Sequence, residues 1–151
     1  MNVCIIDTSV LVELLGVPGY EARHDECVAD FELRARAPES FLLPLPVLFE
    51  TGNHVAQIPD GRLRRAWAER LVSFARPALS GESPFTLTPA PLIPDVISWL
   101  ADFADYAMKK VGLVDRSLID LFERQRALMR SGRVYIWSRD LALMGYDTQH
   151  G

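Results

Sequence analysis

The chain opens on an apolar run that stops at a charge. Val3-Cys4-Ile5-Ile6 is continuously hydrophobic. A strand with one wet face alternates polar and apolar residues, whereas an unbroken run fits a strand covered on both faces, the habit of parallel sheets. Asp7 ends the run, and Thr8, Ser9 and a second apolar stretch, Val10-Leu11-Val12, follow it. An unpaired carboxylate in such surroundings is costly unless its pKa rises until it neutralises. An acid kept at the tip of a core strand therefore needs partners, and the rest of the chain must supply them.

Three further runs read as strands: Phe41-Leu42-Leu43, Phe85-Thr86-Leu87-Thr88 and Val134-Tyr135-Ile136-Trp137, the 85–88 run as an edge strand. Helical spacing of apolar residues fills the intervals. Thr8 or Ser9 is placed to cap a short helix ending at Leu15, before Gly16 and Pro18. Residues 21–36 carry the stripe Cys27, Val28, Phe31, Ala35, and a helix from about Pro46 to Gln57 holds Glu50, Asn53 and His54. Helices are also expected over 62–76, 94–109 and 114–131, with a loop at 77–84 and a short helix over 141–145. Strands alternating with helices predict an α/β protein with a mainly parallel central sheet, and 151 residues suit one domain. In such sheets ligands bind beyond the C-terminal ends of the strands, where Asp7 and Asp140 both fall.

Composition narrows the chemistry. No apolar stretch approaches the ~20 residues of a membrane span, and no basic segment precedes the opening run as in a secretory leader. A cytoplasmic protein without a membrane partner is the expectation. Two cysteines, Cys4 and Cys27, are too few for a disulfide framework or a zinc site, and His24, His54 and His150 lack ligand spacing. A net charge of −4 gives no global attraction to nucleic acid, so any phosphate-binding face must be local. The arginines between Arg62 and Arg76 read first as a solvated face, and Trp67, Trp99 and Trp137 as core or interface residues.

Four acids stand apart from the solvent-facing majority. Asp7 ends the first strand, and Glu50 follows Val47-Leu48-Phe49. Asp115 follows Val111-Gly112-Leu113-Val114, and Asp140 lies just past the last strand. Each has an ordinary reading: Asp7 and Asp115 as helix N-terminal acids, Asp140 as a cap, Glu50 as an arginine partner. Together they make a different object. Clustered carboxylates repel and need a cation, and oxygen-only donors favour Mg²⁺ or Mn²⁺. That donor set suits metal-assisted phosphodiester hydrolysis.

The segments IIDTSVLV, LPLPVLFETGNHV, VGLVDRSLID and VYIWSRDLAL, in this order, resemble those of the PIN-domain nucleases, and in particular the toxin ribonucleases of bacterial toxin–antitoxin pairs. The resemblance runs from Asp7 to about Asp147. It implies a three-layer α/β/α fold and an Mg²⁺- or Mn²⁺-dependent endoribonuclease. Asp7, Glu50, Asp115 and Asp140 would be the catalytic and metal-binding acids, with Ser138 as the hydroxyl beside the fourth. Ser9 takes the place of the polar residue next to the first acid. Arg116 and Arg139, adjacent to two of the acids, are expected to contact substrate together with Ser9. Expected partners are an RNA substrate, an antitoxin protein and a second copy in a homodimer. The fourth motif departs from the family pattern in reading Ser-Arg-Asp, and the 77–94 segment is long and proline-rich for the smallest toxins.

Two other functions compete. A PIN-like module could bind RNA or protein without cutting. A phosphatase using Asp7 as nucleophile would begin from a similar strand, but it needs a second acid two residues on, where this chain has Ser9.

Overall fold

The computed structural model describes residues 1–149, so His150 lies outside the described residues. Strand β1 (Asn2–Ile6) leads into α1 (Thr8–Leu15), and a 3-10 turn (Glu21–Arg23) runs into α2 (His24–Ala35) and back to β2 (Glu39–Leu43). Helices α3 (Leu45–Ala56) and α4 (Gly61–Ser80) carry the chain to β3 (Phe85–Leu87). Helices α5 (Ile93–Met108) and α6 (Leu113–Leu128) return it to β4 (Val134–Trp137), and α7 (Leu141–Met144) follows.

The four strands form one parallel sheet in the order β3-β2-β1-β4, with β3 at an edge as its alternation predicted. Helices cover both faces, giving a three-layer α/β/α architecture. β1 is central, and Cys4 sits between Phe41 and Tyr135. This explains why Val3 to Ile6 are apolar without alternation: all four are buried, three of them fully. On one face Phe31, Phe41, Phe74 and Phe85 pack ring against ring between the helices and the sheet, Phe31 stacked on Phe85 and the other pairs tilted or edge-on. Leu118, Ile119 and Phe122 of α6 join the same core from their helix. Because every strand runs the same way, the C-terminal ends of β1 and β4 share one rim, bringing Asp7 and Ser138 together across 131 residues.

Three local expectations are corrected. Asp7 itself, not Thr8 or Ser9, is the N-cap of α1, yet its side chain makes no capping bond. Its carboxylate is drawn instead to two hydroxyls described below. Helix α4 does not stop at Arg76 but runs to Ser80 with Pro77 inside it. A proline in the last turn removes only one ladder bond, Ala78 packs into the core beneath it, and Gly81 at φ 76° ends the helix. Helix α6 ends at Leu128, ahead of Ser131 and Gly132, because Met129 is already extended.

Candidate active site

Asp7 is 5% exposed, and its main-chain N–H donates to the Trp137 carbonyl at 3.0 Å, fixing the end of β1 against the end of β4. Its Oδ2 accepts two hydroxyls, from Ser9 at 2.6 Å and from Ser138 at 2.7 Å. Both hydroxyls are themselves held by main-chain donors. The Arg139 N–H donates to Ser9 Oγ at 3.0 Å, and the Asp140 N–H to Ser138 Oγ at 2.9 Å. Two parallel relays thus run from the turn after β4 to one oxygen of Asp7. They account for a carboxylate at the tip of a core strand, since charge-assisted hydrogen bonds offset the lost hydration.

The other three acids arrive on separate elements. Asp115, in the first turn of α6, accepts the Gly112 N–H on Oδ2 at 3.1 Å. Asp140 is exposed and caps α7, its Oδ1 accepting from the Ala142 N–H at 2.9 Å. The capping readings of these two residues are therefore real, and each leaves a second oxygen without a hydrogen bond among the described residues. Glu50, half-buried on α3, has neither a hydrogen bond nor an ion pair among the described residues, so the arginine-partner reading fails for it.

Electrostatics tie the four together. Burial, then the negative charges of Asp7, Asp140 and Glu50, push the Asp115 carboxyl up to about 6, against one main-chain hydrogen bond that lowers it. Asp115 thus feels each of the other three acids at the rim of the sheet. No three His, Cys, Asp or Glu side chains among the described residues stand close enough together to grip a metal ion directly.

The two arginines expected to meet substrate are already committed. Arg116 makes a two-pronged pair with Asp102, 3.0 Å and 2.9 Å, and lies over the Tyr106 ring. Arg139 donates to Glu13 Oε2 at 2.8 Å. Ser9 likewise faces Asp7 rather than open solvent. The spacing that placed these residues beside the acids held, but their partners lie on α5 and α1, and nothing local in the sequence marked Asp102 or Glu13. His54 turns to the Tyr20 hydroxyl at 3.1 Å, and Asn53 is exposed. The arginines of α4 are exposed, one paired with Glu69 and another lying over Trp67.

Beside the rim lies a groove of about 410 Å³, lined by Leu42, Pro44, Pro46, Trp99 and Ser117 among others, which sequence patterning did not reveal. No protein-family model and no curated protein matches the sequence.

Proposed function

We propose that this protein is a metal-dependent endoribonuclease of the PIN type, hydrolysing RNA phosphodiester bonds at the rim formed by Asp7, Glu50, Asp115 and Asp140. The observation that carries the reading is that Asp115 feels the negative charges of Asp7, Asp140 and Glu50, three acids drawn from separate elements toward it. A structural role explains each acid singly but not the unpaired Glu50 among them.

The donor set fits Mg²⁺ or Mn²⁺. It is made of oxygens only, with one oxygen on each aspartate and both on Glu50 free of hydrogen bonds among the described residues. The spread of the acids suits a hard ion that keeps several of its waters and takes only one or two carboxylates directly. Asp7 and Asp115 are the candidates for direct ligation, with Asp140 and Glu50 acting through water. A bound ion would supply Lewis-acid chemistry to the phosphodiester. Ser9 and Ser138 hold Asp7 in place through one oxygen, so its other oxygen always presents the same way. Asp115, its carboxyl raised to about 6, is ionised at neutral pH and holds its proton only in mildly acidic solution, where a bound cation would displace it. Glu50 is placed to orient a water or to accept its proton.

The role of a toxin restrained by an antitoxin follows from the resemblance of the four segments and is part of the same proposal. The test is cleavage of RNA in Mn²⁺ by the parent, Asp7→Asn and Asp115→Asn. Cleavage by the parent alone is expected, and equal rates in all three would sink the mechanism. A non-cleaving RNA- or protein-binding module is the second reading. Favouring it, no three acidic side chains among the described residues stand within gripping distance of one ion. RNA binding without cleavage in either Mg²⁺ or Mn²⁺ would establish it.

A further inference from the structure

Phe49 stands in solvent one residue before Glu50. It is 64% exposed, and no second ring packs on it among the described residues. Every other phenylalanine and tryptophan of the chain is buried or half-buried. The helix explains its direction: α3 buries Val47, Thr51 and Val55 on its inner side, leaving Phe49 and Asn53, one turn apart, on the outer side.

Its neighbours give the ring a use. Pro46 precedes Phe49 by three residues and Glu50 by four, so the three crowd one side of the helix. Pro46 also lines the groove. Groove, ring and carboxylate therefore follow one another within a single helical turn. The groove's own charge is closed off: Arg124 bonds both Asp120 and Asp95, leaving no spare cation there for a phosphate. The remaining lining is mostly apolar, with hydroxyls from Thr86, Thr88 and Ser117 and the amide of Gln125. Such a surface favours a flat, uncharged, hydrogen-bonding ring over an anion.

We infer that Phe49 is a base-stacking residue: an unpaired nucleobase flanking the scissile bond lies on its ring at the mouth of the groove. In a duplex both faces of each base are already covered, so no face is open to the ring. The inference rests on the ribonuclease reading for the bond that is cut, but not for the stack itself.

The experiment compares the parent with Phe49→Ala and Phe49→Trp on a short single-stranded RNA, on the same RNA with abasic nucleotides flanking the cut, and on its duplex. Phe49→Ala is expected to raise KM on the single strand about tenfold, the usual scale of one base–aromatic stack, with the shift concentrated in KM rather than kcat. Phe49→Trp restores the parent value. On the abasic RNA the parent falls to the level of Phe49→Ala. A Phe49→Ala enzyme that matches the parent on the single strand, or a loss that persists undiminished on abasic RNA, overturns the proposal. Fluorescence anisotropy of the same RNA in an Asp115→Asn background separates the two readings. If the parent cuts nothing but Phe49→Ala still weakens binding, the ribonuclease reading fails and the stack stands. If RNA is cut and neither KM nor binding responds, the stack fails and the ring belongs to a protein-facing surface.

Discussion

Asp115 and Asp7 are two carboxylates on one rim with opposite support. Asp7 has two hydroxyls on one oxygen, whereas Asp115 has one main-chain donor and three negative neighbours. The folded pKa of Asp115, about 6, lies above its ordinary 3.8. The folded state therefore binds this proton more tightly than the unfolded chain does. Its penalty is absent below pH 4, grows as pH rises, and is complete above pH 6. Asp115→Asn, which keeps an acceptor for Gly112, is expected to stabilise the protein at pH 7.5 by about 1 kcal/mol, after discounting a two-unit shift for partial exposure. Denaturant melts should show that gain vanish near pH 4, while RNA cleavage is lost at every pH. Ser138→Ala works the other way. It takes one hydroxyl from a buried carboxylate and leaves the Asp140 N–H without its acceptor, so a loss of about 1–3 kcal/mol is expected in the same melts. Cleavage should fall with it.

At the scale of elements, much was legible and the reasons are specific. Three strands appeared as short apolar runs and β3 as an alternating one, and the longer helices appeared as stripes, because burial on the sheet imposes those periods. Pro77 misled because a proline signals a break by its missing N–H, while the packing of Ala78 and Phe74 that outweighs it is tertiary. The four acids stood out because a charge inside or beside an apolar run demands an explanation. The fate of Arg116 and Arg139 was not legible, since their partners lie 14 and 126 residues away. The turn into β4 makes its own demand. Gly132 adopts φ 98°, and a Cβ there would stand 2.2 Å from the Met1 carbonyl oxygen. Gly132→Ala should cost at least about 2 kcal/mol, since it combines left-handed strain with a backbone clash, and a lower melting temperature would register it. The strand and helix thiols are held inert: burial pushes Cys4 up to about 12 and Cys27 up to about 11. Native protein should resist a thiol reagent and react only as fast as it opens.

For the whole molecule, the sheet order matters more than any one helix. Putting β1 between β2 and β4 gathers onto one rim acids that are 43, 65 and 25 residues apart along the chain. A cation binding there would relieve repulsion that folding alone leaves in place. Saturating Mn²⁺ should therefore raise the melting temperature of the parent by the binding linkage, and Asp115→Asn should reduce that response. A parent whose melting temperature is indifferent to Mn²⁺ would count against metal binding at the rim, independently of any cleavage assay.

The hydroxyl relays to Asp7 also have a consequence in time. Asp7 is made before Ser138, which holds it and follows it by 131 residues. At ordinary rates of synthesis that interval is about 7–26 s. Through all of it the growing chain carries its first acid without the support that sets it, and without Asp140. A chain cut short anywhere before its last strand has no assembled rim. The proposed nuclease therefore stays harmless to the message being translated until β4 and the turn after it have been made.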